Sequence, residues 1–393
     1  MDAAGRDATL FMHTYKRLPL EIVRGEGPWL VSRDGSRYLD MFGGIAVNAL
    51  GHAHPAVLRA ITEQAGRYIH LSNYFHQEPQ QRLAEALLRP SGYDRVFFAN
   101  SGTEAIEGAL KIARRWGASR GRHELLALSG AFHGRTMGAL SIMDRDKYRN
   151  GFAPFLPHCR VCEFGSIEAL QESVGAQTAA VTLEYIQGEG GIRPVSRDFA
   201  QALDDLRARF GFLIIADEIQ SGIGRTGAFF GFEHFGASPD IVTLAKPLGG
   251  GLPLGAILAK GDAATVLEPG THGTTFGGNP VACAAGAAVL SEIVEGGVMR
   301  HCADIGRLLK SRLEGLQREF PDRVREVRGF GLMLGMELTV PGDPVVSAMQ
   351  GKGVLINCTD TTVLRFVPPL IIDEEHVETT CAALRDCLAD LCA

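Results

Sequence analysis

The sequence has no long uninterrupted apolar run and no strong excess of one charge, and its first twenty residues make a poor secretory signal. No stretch of about 18 uncharged apolar residues occurs, so no transmembrane helix is predicted. The first twenty residues carry acidic side chains and are rich in neither Arg nor Ser, which argues against a signal or transit peptide. The net charge of -6 gives no general attraction to nucleic acid or to an anionic membrane. We therefore expect a cytoplasmic protein that holds any anionic ligand by local groups.

A dense cysteine framework is also missing. The eight cysteines are scattered along the chain, as suits a reducing compartment. Cys159 and Cys162 form one CxxC pair preceded by His158, but a zinc or redox site would need a second pair at the usual spacing. We interpret these two cysteines as incidental residues flanking a strand.

The sequence further lacks an internal repeat, a low-complexity tract and a GxGxxG turn that opens a helix after an early strand. A dehydrogenase, the alternative α/β enzyme, would need such a turn with an acidic residue further on. The glycine cluster 249–251 instead follows a lysine. This position disfavours the dehydrogenase alternative.

Two domains with their own cores fit the chain, which has 393 residues, 46% hydrophobic and 21% charged. Short runs that are apolar on both faces alternate with helical patterns, which predicts an α/β fold with a mostly parallel sheet. The predicted strands are 95–99, 125–128, 180–183, 212–216 and 241–245, and the predicted helices include 104–116, 197–210 and 280–295. We predict a large domain (56–297), a smaller α+β domain (298–393) and an N-terminal segment (1–55) that packs with the smaller domain.

Two ionisable residues follow buried strands, at the end where ligands bind in open α/β sheets. A carboxylate at Asp217 is costly unless it meets a cation. Four roles remain open for Asp217: a helix N-cap, a metal ligand, an ion pair with arginine, or a partner for the protonated ring nitrogen of pyridoxal phosphate. Lys246 follows the next predicted strand, where burial would lower its pKa and make it an amine nucleophile. A surface lysine is the commoner alternative, but the presence of Asp217 favours the catalytic interpretation.

Three other strand ends carry weaker signals. Gly102 and the helix start beside it would suit a phosphate, although an ordinary capped helix explains that stretch better when it is taken alone. Phe132 could stack on a ring and Arg135 could bind a carboxylate, or they are a core aromatic and a surface charge. Glu184 and Glu189 lie on a glycine-rich loop whose simplest interpretation is a solvated turn.

Nine short motifs follow one another along the chain. They include FFANSGTEA, FHGRT, EYIQGEGG, DEIQSGIGRTG and AKPLGGGLPLGA, and they occupy residues 44–55, 97–105, 132–136, 184–191, 217–227, 245–256, 272–280, 327–338 and 364–370. In this order they resemble the class III aminotransferases, most of all the acetylornithine aminotransferase branch. The resemblance covers nearly the whole chain. It implies the fold type I architecture of pyridoxal-phosphate-dependent transferases, with a large mostly parallel α/β domain and a smaller α+β domain formed from both termini.

The resemblance implies cofactor roles for seven residues. Lys246 would hold pyridoxal phosphate as a Schiff base and later carry protons, and Asp217 would pair with the pyridine nitrogen. The others are Gln220 at the ring hydroxyl, Phe132 stacked on the ring, Gly102 and Thr103 at the phosphate, and Thr275, which would reach the phosphate from a neighbouring subunit. A homodimer with shared active sites is therefore implied.

The same resemblance implies substrate contacts. Arg135 would take the α-carboxylate of acetylornithine, with Thr274 and Tyr15 as further contacts. Glu189 and Arg365 resemble the switch pair of the family, in which the glutamate masks the arginine for the ω-amine donor and frees it for glutamate.

The implied reaction moves the terminal amino group of N-acetylornithine to 2-oxoglutarate, giving N-acetylglutamate semialdehyde and glutamate in arginine biosynthesis. Ornithine aminotransferases usually carry a tyrosine near the position of Gly44, and its absence leaves room for an acyl group. The alternatives share every catalytic group: succinylornithine, ornithine, succinyldiaminopimelate and 4-aminobutyrate aminotransferases. A catalytically silent relative is a further alternative, which nothing in the sequence favours.

Overall fold

The computed structural model describes residues 3–390, which contain helices and strands in alternation. Its strands are β1 (Ile22–Glu26), β2 (Trp29–Ser32), β3 (Arg37–Asp40), β4 (Arg95–Ala99), β5 (Glu124–Leu128), β6 (Cys159–Cys162), β7 (Thr178–Leu183), β8 (Ile186–Gln187), β9 (Arg193–Pro194), β10 (Leu213–Asp217), β11 (Ile241–Leu244), β12 (Gly255–Ala259), β13 (Val324–Phe330), β14 (Met333–Leu338), β15 (Val354–Leu355), β16 (Asn357–Thr359) and β17 (Val363–Phe366). Its α-helices are α1 (Ala3–Leu10), α2 (Gly43–Ala46), α3 (Pro55–Arg67), α4 (Glu78–Ser91), α5 (Gly102–Ala118), α6 (Met137–Ser141), α7 (Asp146–Arg149), α8 (Ile167–Ser173), α9 (Arg197–Phe210), α10 (Pro280–Leu290), α11 (Val298–Glu319), α12 (Asp343–Gly351) and α13 (Glu374–Asp390).

A seven-stranded sheet forms the centre of the fold, with strand order β4-β12-β11-β10-β7-β5-β6. Six strands point in one direction, and β12 is antiparallel to both of its neighbours. Every residue of β7, β10, β11 and β12 is buried, which explains why most of their side chains are apolar on both faces. The predicted α/β fold with a mostly parallel sheet is confirmed, whereas β12 was not predicted.

The helices that flank this sheet begin and end at residues with clear local causes. Helix α5 begins after Ser101, whose side chain accepts the N–H of Glu104, and α9 begins after Ser196, whose side chain accepts the N–H of Phe199. Helix α9 ends at Gly211, which has φ +71° and so takes the left-handed conformation that favours glycine. The observed bounds of α9 match the predicted range 197–210 because Ser196 and Gly211 are residue types that commonly cap helices.

Two smaller sheets lie beside the central one. The first has the order β1-β2-β3-β15, so β3, near the start of the chain, pairs in parallel with β15, near its end. The second, β13-β14-β17-β16, is antiparallel throughout and carries Arg365 on β17. The division into domains at residues 55 and 297 stays our proposal.

The predicted helix 280–295 is interrupted. It is α-helical as far as Leu290 and then takes one π-type turn over Ser291–Glu295. Within residues 3–390, no single helix is long and apolar enough to cross a membrane. Pro280–Glu295 and Val298–Glu319 together pass that test by length and composition only, and they are bent by 63°.

Candidate active site

A cavity of about 440 Å³ lies where the chain leaves the central strands. Asp217 ends β10, Lys246 lies two residues beyond β11, and Glu184 follows β7. The remaining lining residues are Val47, Asn100, Ser101, Gly102, Thr103, Phe132, His133, Gly134, Arg135, Glu189, Ile219, Gln220, Ala245, Gly251, Leu252, Pro253 and Leu254. The structure thus places the predicted amine and carboxylate in one cavity, as the parallel strands require, since they end at the same sheet edge.

Lys246 presents an unpaired amine to this cavity. Its backbone has φ +40°, which is uncommon for a residue with a Cβ and marks a strained turn. The amine makes no hydrogen bond or ion pair with another residue of the described range. Burial, followed by the charge of Arg365, lowers the pKa of Lys246 from 10.5 to about 8. A substantial fraction of the amine is therefore neutral and nucleophilic in mildly alkaline solution.

Asp217 is held by a histidine that the sequence analysis missed. Nδ1 of His133 lies 2.7 Å from Oδ2 of Asp217, and Oδ1 accepts the N–H of Ile219 at 3.1 Å. Burial acts to lower the pKa of His133, but the hydrogen bond and charge of Asp217, with the charge of Glu184, raise it above its ordinary value of 6.5. The imidazole thus favours its charged form and fixes the carboxylate. Nε2 of His133 has no partner within residues 3–390.

Glu184 lines the same cavity and interacts electrostatically with this pair. Burial and the neighbouring charge of Asp217 raise the pKa of Glu184 above its ordinary value. Its two oxygens accept the N–H groups of Phe132 and Gly188, both at 2.9 Å. Glu184 therefore sets the backbone of the aromatic residue that was predicted to stack on a ring.

The start of helix α5 forms another wall of the cavity. Gly102 and Thr103 are its first two residues, so their N–H groups point away from the helix and its dipole favours an anion there. A Cβ at Gly102 would lie 2.8 Å from Cδ1 of Ile219, which explains why glycine is needed at this close approach. Oγ1 of Thr103 lies 2.8 Å from Oγ1 of Thr136.

Arg365 and Glu189 form an ion pair at the edge of the cavity. Nη1 of Arg365, a side chain that is 1% exposed, lies 2.5 Å from Oε1 of Glu189 and 3.3 Å from Oε1 of Gln220. Its Nε donates to Oδ1 of Asn357 at 3.2 Å. Although burial opposes the effect, Arg365 lowers the pKa of Glu189 below its ordinary value. The structure therefore brings the two residues of the predicted switch into direct contact.

The loop that carries Glu189 is tied to the β13-β14-β17-β16 sheet by its backbone. Oγ1 of Thr359 donates to the carbonyl of Glu189 at 2.7 Å. Nε of Arg328 donates to the carbonyl of Gly191 at 2.9 Å. The backbone of the loop is thus fixed independently of the Glu189 side chain.

Arg135 is exposed at the mouth of the cavity and is held by aromatic rings. Its Cζ lies 4.2 Å from the ring centroid of Tyr148 and 5.4 Å from that of Phe132. Within residues 3–390, its guanidinium forms no hydrogen bond or ion pair. All of its N–H donors are available to a ligand.

Four predicted site residues, Arg365 among them, lie outside the cavity lining of the single chain. Oγ1 of Thr274 accepts from Nδ2 of Asn100 at 3.1 Å, while Thr275 is exposed beside it. Tyr15 is 80% exposed. Their contacts with substrate or with a second subunit stay predictions.

The cavity fits the expected cofactor, pyridoxal phosphate. It combines an unpaired amine, a carboxylate fixed by a histidine, and a helix start with free N–H groups. They match the aldehyde, the pyridine nitrogen and the phosphate, which are the three groups by which that molecule is bound. No group of three or more His, Cys, Asp or Glu side chains within residues 3–390 is arranged to hold a metal ion.

Comparisons with known proteins agree with this geometry. A family model described as aminotransferase class-III matches residues 10–388. The acetylornithine aminotransferase of Methanocaldococcus jannaschii is 44% identical over 97% of this chain and 96% of its own length. The protein of the same name from Caldanaerobacter subterraneus subsp. tengcongensis is 45% identical over 97% of each chain.

Solved structures resemble the whole fold. A crystal structure of the ornithine aminotransferase from Toxoplasma gondii has a TM-score of 0.94 and 30% identity, and covers 99% of this chain and 94% of that chain. The PLP-bound amine transaminase from an uncultivated Pseudomonas species has a TM-score of 0.91 and 28% identity, covering 97% of this chain and 98% of that chain.

Proposed function

Because this chain belongs to the class-III aminotransferase family, we propose that it moves the terminal amino group of N-acetylornithine to 2-oxoglutarate. The chain is a pyridoxal-phosphate-dependent aminotransferase. The observation that carries the proposal is the free amine of Lys246 in the same cavity as the Asp217–His133 pair. The products would be N-acetylglutamate semialdehyde and glutamate, and the names of the relatives support a place in arginine biosynthesis. The expected cytoplasmic location belongs to the same proposal.

At the cofactor end of the cavity, each group has a separate task. Pyridoxal phosphate, when bound, supplies a ring that draws off carbanion charge from the substrate carbon. Lys246 would hold the cofactor through its neutral amine, and that amine, once displaced by the amine of the donor, would take the proton that leaves the substrate carbon. Asp217, fixed by His133, offers its carboxylate to the ring nitrogen. Gly102 and Thr103 offer N–H groups to the phosphate.

Phe132 and Gln220 complete the cofactor contacts in this proposal. Phe132 lines the cavity, and its N–H is fixed by Glu184, so its ring can cover one face of a flat ligand. Gln220 is buried, and its oxygen already accepts from Arg365. Its amide nitrogen is therefore the group left to meet the ring hydroxyl.

At the substrate end, two arginines separate the two half-reactions. Arg135 binds the α-carboxylate of the amine donor through its free guanidinium. Glu189 pairs with Arg365 while the donor is bound, and releases it to the second carboxylate of 2-oxoglutarate or glutamate. Thr274 and Tyr15 are proposed as further substrate contacts.

A homodimer belongs to the proposal as well. Ile69, Tyr74, Phe75 and Phe276 are large apolar side chains that are more than half exposed. Asn73 links the segment 69–75 to the segment of Phe276 by donating to the carbonyls of Thr274 and Gly277, both at 3.3 Å. An exposed apolar patch of this kind favours a second protein surface, here a second copy of the chain. Thr275, within the patch, would then reach the phosphate of the neighbouring subunit.

Ornithine is the second candidate donor, because solved structures of similar fold include ornithine aminotransferases. The sequence relatives named for acetylornithine are more similar, at 42–45% identity against 28–30% for those structures. Steady-state kinetics with N-acetylornithine, succinylornithine, ornithine and 4-aminobutyrate would decide. We expect the highest kcat/KM for N-acetylornithine, and a higher value for any other donor would replace the proposed substrate.

The cofactor role of Lys246 has its own test. The purified protein should be yellow, lose its visible band with borohydride, and fail to form the band as Lys246→Ala. A wild-type protein that binds no pyridoxal phosphate would contradict the assignment of the site.

A further inference from the structure

We infer that Tyr148 is a positioning residue for the amine donor, because its ring holds the Arg135 guanidinium in place while leaving every N–H donor of that arginine free. The inference rests on the proposed function, since it concerns a donor with an α-carboxylate. Tyr148 lies on the short helix α7 and is buried behind the cavity wall, so it does not itself touch a ligand in the cavity.

The contact geometry supports this role. Cζ of Arg135 lies 4.2 Å from the centroid of the Tyr148 ring, closer than its 5.4 Å to that of Phe132. Distances below about 6 Å give an attraction between a guanidinium and an aromatic face. Lys147 approaches the same ring at 4.7 Å, so the Tyr148 ring is shared by two cations.

Holding an arginine by rings differs from holding it by a carboxylate. An ion pair would occupy its N–H groups and neutralise its charge, and a bound carboxylate would then have to displace the partner. An aromatic ring neither occupies the N–H groups nor neutralises the charge, because the guanidinium stacks by its face and donates hydrogen bonds in its plane. An exposed, unrestrained arginine would instead lose much side-chain entropy on binding.

The Tyr148 ring is itself fixed. It packs with Leu140 and Met143, which are buried, and meets Phe132 edge-on at 5.3 Å with an interplanar angle of 73°. The Tyr148 hydroxyl makes no hydrogen bond within residues 3–390, so the ring and not the hydroxyl carries the effect. Phe132 keeps its own backbone anchor on Glu184 when Tyr148 is changed.

The test compares two amine donors on the holoenzyme: N-acetylornithine and N-acetyl-1,4-diaminobutane, which has the same chain without the α-carboxylate. In Tyr148→Leu, KM for N-acetylornithine should rise by about threefold to thirtyfold, as expected for a lost cation–π contact. The kcat with this donor, the KM for the decarboxylated donor and the visible band of the cofactor should change little. Tyr148→Phe should restore the wild-type KM for N-acetylornithine.

Equal rises in KM for both donors, or no rise for either, would overturn the inference, as would failure of Tyr148→Phe to restore KM. A wild-type enzyme that uses N-acetylornithine no better than the decarboxylated donor would overturn it too. If the enzyme instead prefers another α-amino acid donor, the proposed substrate fails, and the inference is tested on that donor and its decarboxylated form. Tyr148→Met provides a second variant if Tyr148→Leu is not recovered as folded holoenzyme.

Discussion

Replacing Lys246 with methionine should stabilise the cofactor-free protein while abolishing its activity. The amine has no hydrogen bond or ion pair within residues 3–390, and burial with the charge of Arg365 lowers its pKa from 10.5 to about 8. In the unfolded chain the same amine is fully hydrated. The ammonium form is therefore destabilised in the folded state, and methionine removes that cost with a side chain of similar length.

The magnitude follows from the fall in pKa. A fall in the pKa of Lys246 from 10.5 to about 8, at about 1.4 kcal/mol for each pKa unit, costs the folded protein roughly 3.5 kcal/mol. Lys246 remains partly accessible through the cavity, so screening by water reduces the expected gain to about 2–3 kcal/mol. The cost is fully present at pH 7, below both pKa values. It declines as the pH rises from 8 towards 10.5, because the folded state has then already lost the proton that the unfolded chain still binds.

Urea unfolding of the two cofactor-free proteins at pH 7 and at pH 9.5 measures this effect. Lys246→Met should have the higher free energy of unfolding at pH 7, and the difference should fall to less than half at pH 9.5. The exposed Lys16→Met is the control, with an expected change within about 0.5 kcal/mol at either pH. A Lys246→Met protein that is no more stable than wild type at pH 7, or a difference independent of pH, would refute the reasoning.

Two further variants test neighbouring contacts. His133→Ala removes the donor of the 2.7 Å bond to Asp217, and we expect cofactor affinity to fall about 10- to 100-fold, since hydrogen bonds to charged groups are worth ~1.5–3 kcal/mol. Because the pKa of His133 is raised above 6.5, its contribution to stability is complete below pH 6.5 and is lost as the pH rises through the raised value. The variant should lack this decline of stability with pH. Unchanged cofactor affinity in an absorbance titration would contradict the pairing. Glu189→Gln removes the charge that masks Arg365, and the ratio of kcat/KM for 2-oxoglutarate to that for the amine donor should rise about tenfold or more. An unchanged ratio in steady-state kinetics would exclude the switch.

The sequence predicted the central strands because burial on both faces leaves a visible apolar run. The run 212–216, for example, lies within one residue of β10. Strand β12 was missed because Gly255–Ala259 follows a glycine-rich turn, and its insertion between β4 and β11 depends on pairing between distant segments. The break in the predicted helix 280–295 was missed for a similar reason, since no proline marks the π-type turn at Ser291–Glu295.

The sequence predicts those residues of the candidate site that directly follow an apolar strand. Lys246 and Asp217 were predicted because each ionisable residue follows an apolar run, and the structure places both in one cavity. His133 was missed although it lies next to Phe132, because its contact with Asp217 joins residues 84 positions apart. Tyr148 was missed because it lies behind the cavity wall, where only packing relates it to Arg135.

The backbone ties from Thr359 and Arg328 to the loop of Glu189 bear on the speed of substrate exchange. With the carbonyls of Glu189 and Gly191 held by a neighbouring sheet, the proposed uncovering of Arg365 would require rotation of the Glu189 side chain and loss of its ion pair, but no movement of the loop. Rotation of one side chain moves far fewer atoms than displacement of a whole loop, which takes nanoseconds to microseconds. Alternation between the two substrates should then add no slow step to a turnover that lasts milliseconds or longer.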